Sequence, residues 1–312
     1  MSVDIALGDG MEFDLIRAMC SRWGSRAEGI GDDAAVLDFP PGERLVISTD
    51  ASIENVHFRR GWLTPEEIGY RAATAAFSDL AAMAATPFAV LVALSVPEEW
   101  LTQLLALADG IGEAANAVGA RIAGGDLTRA GELAIGVTVL GHARNVLSRA
   151  GAGVGDAIFV TGTFGGPAAA VHALQTGDTP GTWARERFAR PQARVREARW
   201  LADHGARAAV DISDGLLADL GHVAHASGVR IAVNLDTLPV GDGMDVLQAA
   251  SGGEEFELAV TAPDDLDAAK FTREFGLPLS RVGVIEAGDA CVDVTYRGAR
   301  VASPVGWNHF SY

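Results

Sequence analysis

The stretch LVISTDASIENVHF, residues 45–58, sets an apolar run directly against a series of oxygen-bearing side chains. Leu45, Val46 and Ile47 have the character of a buried strand. Ser48, Thr49 and Asp50 follow at once and are expected to end it on three successive oxygen donors, with Asn55 and His57 in the loop beyond. Hard oxygen donors at a strand end suit magnesium, which binds through a few carboxylates and keeps positions open for phosphate oxygens.

Upstream, Phe13, Ile16, Met19 and Cys20 recur at helical spacing within residues 11–23, with Asp14, Arg17 and Ser21 largely on the other face, so an amphipathic helix is expected there. Residues 34–39 and 44–49 read as two strands of a hairpin punctuated by Pro40, Pro41 and Gly42. Downstream, Thr64 stands as the N-cap and Pro65 as the first residue of an alanine-rich helix running to Ala85. A strand over 88–96, a helix from Pro97 to about Val118, a turn at Gly124-Gly125-Asp126 and a strand over 133–142 complete an α+β pattern with a mostly antiparallel sheet. Composition turns glycine-rich near 145–155, which places a domain boundary between 1–147 and 148–312. Strands and helices then alternate, as in an α/β domain, from the strand 156–161 and the glycine turn 162–166 through the strand 206–212, the helix 215–226 and the strand 229–235.

A chain of 312 residues, 49% of them hydrophobic, can bury a substantial core in two domains. A formal charge of −17 repels nucleic acid and anionic membranes, and no basic run offsets it. Lys270 is the only lysine and no GxxxxGK[ST] run occurs, so phosphate chemistry here proceeds without a P-loop lysine. Cys20 and Cys291 have no partner spacing and read as packing residues of a reduced chain. The acidic first residues and the short apolar runs point to a cytoplasmic protein with no membrane partner.

Acidic residues gather where strands are expected to meet turns: Asp32 and Asp33, Asp50, Asp126, Asp211 with Asp214, and Glu254 with Glu255. The adjoining glycines allow a backbone to approach a phosphate or a hydrated metal closely. Asp79 differs, lying inside the alanine-rich helix, where a buried carboxylate needs a cation; an exposed helix stripe is the alternative. Asp214 suits an N-cap as well as a metal, Asp32 and Asp126 suit simple turns, Glu255 and Glu257 suit the solvent face of a strand, and His57 suits a structural role. The glycine turn 162–166 could cradle an anion or merely join strand to helix. No nucleophile elbow or dinucleotide fingerprint is present in its required context.

Taken in order, GIGDDAAVL (29–37), ISTDASIENVHF (47–58), SDLAAMAATP (78–87), AGGDLTR (123–129), SRAGAGVGDAIFVTGTFG (148–165), DISDGLLADLGHVAHASG (211–228) and SGGEEFEL (251–258) resemble the thiamine-monophosphate kinases, within the aminoimidazole-ribotide-synthetase-like superfamily. The resemblance implies a two-domain fold in which the N-terminal sheet forms a homodimer, with ATP and several magnesium ions bound between the domains. Carried over by position, it implies Asp33, Ser48, Thr49, Asp50, Asp79, Asp126, Asp211 and Asp214 as magnesium ligands. Gly125, Asp126, Arg149 and Ser213 take the place of ATP contacts, and His57, Glu254 and Trp307 that of contacts to thiamine monophosphate. Glu255 stands where the family often has Asp, and Trp307 where another aromatic is common; an aromatic there can stack on the thiazolium cation.

The implied reaction moves the γ-phosphoryl group of ATP onto thiamine monophosphate, yielding thiamine diphosphate. A phosphate monoester with a second pKa of about 6 is already dianionic near neutrality and requires no general base. Positioning and charge neutralisation are what the protein must supply. Competing readings are aminoimidazole-ribotide synthetase itself, a two-metal phosphohydrolase and a nucleotide-sensing module; the cysteine-dependent relatives are disfavoured by a C-terminus, NHFSY, without cysteine.

Overall fold

The first helix forms where its apolar spacing places it, as α1 (Met11–Trp23), and buries Met19 and Cys20. The computed structural model describes residues 11–27, 30, 34–35 and 37–302. Its contacts divide the chain into two compact units, Met1–Leu80 with Ala85–Arg144, and Ala81–Ala84 with Asn145–Tyr312.

The first unit continues with β1 (Arg44–Ile53), α2 (Pro65–Ala82), β2 (Thr86–Val96), a 3₁₀ turn (Glu98–Gln103), α3 (Leu104–Val118), β3 (Arg121–Arg129) and β4 (Ala134–Ala143). α2 starts on a capping box: the Thr64 hydroxyl accepts the Glu67 N–H at 3.3 Å and the Glu67 carboxylate accepts the Thr64 N–H at 2.8 Å. The four strands lie in the order β1-β4-β2-β3, antiparallel except for the parallel pair β2 and β3. The buried face carries Val90, Val92, Leu94, Ile135, Val137 and Val139. Alternation puts Leu45, Ile47 and Thr49 on the other face, with Leu91, Thr138 and Leu140 opposite them. That face and α1 line an open cavity of about 960 Å³.

Two expectations fail here. The described residues of 34–39 form no strand, so no hairpin partner precedes β1, which is an edge of the sheet among the described residues. Gly124-Gly125-Asp126 is not a turn but the middle of β3. The glycines serve close strand approach: a Cβ on Gly125 would lie 1.9 Å from the Val92 carbonyl oxygen.

The second unit comprises β5 (Ala157–Thr161), α4 (Gly166–Thr176), α5 (Thr182–Ala189), α6 (Val195–Asp203), β6 (Ala208–Asp211), α7 (Leu216–Ser227), β7 (Arg230–Asn234), α8 (Val246–Ser251), β8 (Leu258–Ala262), α9 (Ala268–Phe275), β9 (Leu279–Glu286), β10 (Cys291–Tyr296) and β11 (Ala299–Val301). Seven strands pair in the order β11-β10-β7-β9-β5-β8-β6, with β7 and β10 the parallel pair. The central strands β5 and β8 are buried throughout, and α7 seats Leu216, Leu217, Leu220 and Val223 in the core with Ile158, Val160 and Val210. Among the described residues no helix is long and apolar enough to cross a membrane.

Candidate functional site

Within the first unit, β1 runs on through Ile53, so Ser48, Thr49 and Asp50 lie inside the strand instead of ending it. Their side chains therefore alternate between faces. Ser48 and Asp50 share one face, and the Ser48 hydroxyl donates to the half-buried Asp79 carboxylate of α2 at 2.5 Å. Asp79 is thus neither fully buried nor on a solvent stripe. Thr49 points to the opposite face, where its hydroxyl meets that of Thr138 at 3.0 Å. Asp126, exposed on β3, shares that opposite face, since the ladder runs from Ala51 through Gly136 and Ala93 to Asp126.

His57 sits in the loop after β1, and its Nδ1 accepts the Ile53 N–H at 3.1 Å, which leaves the proton of the neutral ring on Nε2. The loop is braced by Glu54, which is 9% exposed and accepts the Trp100 indole N–H at 2.9 Å while Arg60 lies over the Trp100 ring. Asp32, Asp33 and Trp307 lie outside the described residues.

In the second unit β6 delivers Asp211, buried, to the sheet end, and Ser213 and Asp214 follow before α7. Asp214 does not cap that helix. The free N–H groups of Ser213, Asp214 and Gly215 all point at the carboxylate of Asp219 from the first turn, at 3.0, 3.1 and 3.1 Å. Burial, then the charge of Asp211, pushes the Asp219 carboxyl up to about 7. Asp214, Asp219 and His222 each bring one ligand atom within 4.8 Å of the others. Arg149 is exposed, and its carbonyl accepts the Ser227 hydroxyl at 2.7 Å.

The segment 212–214 is stitched to 254–257 by Glu254 N–H to the Ser213 carbonyl at 2.8 Å and Phe256 N–H to the Ile212 carbonyl at 2.9 Å. Ser213 and Glu254 are therefore neighbours, although 41 positions apart in number. Glu255 and Glu257 face the interior, not solvent, at 1% and 0% exposure. Two Arg194 nitrogens grip the Glu257 carboxylate at 2.8 and 2.5 Å, and the Thr161 hydroxyl donates to it at 2.6 Å. The glycine turn after β5 does cradle an acidic group, but one from the chain itself: Gly165 N–H donates to Glu255 Oε1 at 2.5 Å.

Two family profiles match the chain, "AIR synthase related protein, N-terminal domain" over residues 31–143 and "AIR synthase related protein, C-terminal domain" over 153–294. A thiamine-monophosphate kinase of Salmonella typhimurium is 36% identical over 303 residues, 91% of this chain and 92% of that protein. The chain belongs to the thiamine-monophosphate kinase family. The solved structure of the thiamine-monophosphate kinase from Stenotrophomonas maltophilia superimposes with a TM-score of 0.81 at 36% identity, covering 93% of this chain and 98% of that one. A structure of AaThiL complexed with AMPPCP and TMP superimposes with a TM-score of 0.78 at 29% identity, covering 96% and 97%. Residues that reasoning from sequence overlooked in this member of the family are Asp219 and His222. Their spacing of three along α7 sets them on one helix face, a signal present in DGLLADLGH.

Proposed function

We propose that this chain transfers the γ-phosphoryl group of ATP in line onto the phosphate of thiamine monophosphate, giving thiamine diphosphate and ADP, with several magnesium ions. The family relationship supports the reaction, and the relative complexed with AMPPCP, a non-hydrolysable ATP analogue, and TMP supports the substrate pair. The observation that carries the metal assignment is the crowding of Asp211, Asp214 and Asp219, where burial and like charge already drive one carboxyl up to about 7. Such a donor set, hard oxygens with surplus negative charge, fits a divalent cation. Within the first unit Asp33, Ser48, Thr49, Asp50, Asp79 and Asp126 would serve as magnesium ligands, and within the second Asp211 and Asp214 would do so, for several ions and not one. Bound magnesium would neutralise phosphate charge and orient the reacting oxygens.

The chain's own groups then have separable tasks. Gly125, Asp126, Arg149 and Ser213 would hold ATP; Arg149 has no side-chain partner among the described residues, so its guanidinium is available to a phosphate. His57, held as the Nε2–H tautomer, offers a donor to a phosphate or ring acceptor of thiamine monophosphate, and Glu254 offers an acceptor to its amino group or cation. Trp307 would stack on the thiazolium ring. The phosphate dianion attacks without a general base.

The chain acts as a homodimer in this reading. Three inter-strand spacings separate β1 from β3, so Asp50 and Asp126 stand at opposite sheet edges, on the order of 14 Å apart. A second copy laying its β3 edge beside β1, with the reverse pairing at the other two edges, would set the strand bearing Asp126 next to the partner strand bearing Asp50 and would enclose the apolar face on which Leu45 and Ile47 are 43% and 57% exposed. Chromatographic separation of thiamine species after incubation with ATP, magnesium and thiamine monophosphate tests the reaction. Thiamine diphosphate formed one-for-one with ADP is expected; ADP or free phosphate without it would turn the assignment to a ribotide synthetase or hydrolase.

A further inference from the structure

The turn between α8 and β8 is held in an unusual backbone conformation. Glu254 and Phe256 have φ of +63° and +50°, a region that side-chain-bearing residues rarely adopt, and they flank the buried Glu255. One edge of the turn is tied to 212–213 by the two backbone hydrogen bonds already given. The other edge is tied by Arg187 of α5. Its Nη2 donates to the Glu255 carbonyl at 2.8 Å, lies 3.5 Å from Glu255 Oε2 and 2.9 Å from Glu257 Oε1. Gly166 makes room for this arm, since a Cβ there would stand 2.7 Å from Arg187 Cβ. Arg187 Nε is buried with no acceptor, a cost that the orientation of the guanidinium entails.

We propose that Arg187 is a positioning residue for the acceptor substrate: it holds the 252–256 turn in the conformation that presents Glu254. This rests on the reading that Glu254 contacts thiamine monophosphate. Ser213, the neighbour proposed for ATP, is bonded to the turn through its carbonyl but has a second anchor outside it, its N–H bond to Asp219. Loosening Arg187 therefore displaces Glu254 more than Ser213, which its Asp219 anchor holds back. A residue serving stability alone would not discriminate between the two substrates.

The test is steady-state kinetics of Arg187→Lys, Arg187→Met, Glu254→Gln and the Arg187→Lys/Glu254→Gln double variant, with thermal melts of each. Arg187→Lys keeps a cation opposite Glu257 and serves if the Met variant does not fold. Either Arg187 variant is expected to raise KM for thiamine monophosphate about tenfold with KM for ATP within about twofold, and Arg187→Lys to add less than about threefold once Glu254 is Gln. A lowered melting temperature with KM unchanged, equal rises in both KM values, or a full multiplicative effect in the double variant would each overturn the inference while leaving Glu254 its role. Glu254→Gln without effect on the thiamine monophosphate KM would instead overturn the underlying reading, and the inference with it.

Discussion

Replacing Glu255 by glutamine makes a stability difference that depends on pH in a calculable way. Burial, opposed by the Arg187 guanidinium and the Gly165 N–H, raises the Glu255 carboxyl from 4.5 to about 7. From pH 4.5 to about 7 the unfolded chain has released this proton while the folded chain keeps it. The contribution of this group to stability is thus fully present below pH 4.5, declines as pH rises, and is lost once pH passes the folded value. The complete loss amounts to about 3 kcal/mol at about 1.4 kcal/mol per pH unit. Glutamine resembles the protonated carboxyl in shape and keeps an oxygen for the Gly165 N–H, but it cannot ionise. Denaturant unfolding of parent and Glu255→Gln at pH 5 and pH 8 reads the effect directly. The variant should match its parent to within about 1 kcal/mol at pH 5, where part of the loss has already occurred, and exceed it by about 2.5 kcal/mol more at pH 8. Asp219, also raised to about 7, titrates in both chains and cancels from the difference. A difference that stays level with pH, or a parent that gains on the variant, would refute the reasoning.

Asp50→Asn and Asp79→Asn should each abolish most turnover and leave the circular-dichroism melt close to that of the parent; a loss of substrate affinity alone at saturating magnesium would contradict the metal assignment. Thr64→Ala removes one half of the capping box and should cost about 1 kcal/mol by denaturant unfolding, with KM values unchanged. Gly125→Ala should lower the melting temperature markedly, because its Cβ would meet a strand carbonyl at 1.9 Å with no side chain to yield. Ile47→Asp places a charge on the exposed apolar face and, under the homodimer proposed above, should give a monomer in sedimentation velocity where the parent gives a dimer, with activity depressed alongside.

Local signals carried over into the structure, and non-local ones did not. The first helix and the Thr64 cap were legible because a 3.6-residue period and a capping box depend on neighbours in sequence. The oxygen donors of β1 were legible as a cluster, but not that Thr49 would face away from Ser48 and Asp50, because a longer strand separates adjacent residues. Glycines before Asp126 suggested a turn, yet their use is the close approach of β3 to β2, which only the pairing reveals. Glu255 and Glu257 looked solvent-facing because the arginines that neutralise them lie 68 and 63 positions away. Asp219 was legible in principle, as a carboxylate in the first turn of a helix that follows an acidic strand end.

The placement of Asp50 and Asp126 on opposite edges of one sheet reaches into genetics. Where a site takes Asp50 from one chain and Asp126 from its partner, two inactive alleles can rescue one another. An Asp50→Asn chain still carries a sound Asp126, an Asp126→Asn chain a sound Asp50, and their mixed dimer assembles one intact site beside one doubly damaged one. Random assortment of equal amounts restores about a quarter of the sites. A cell that expresses both alleles would grow where neither alone suffices, and no such rescue would arise if each chain completed its own site.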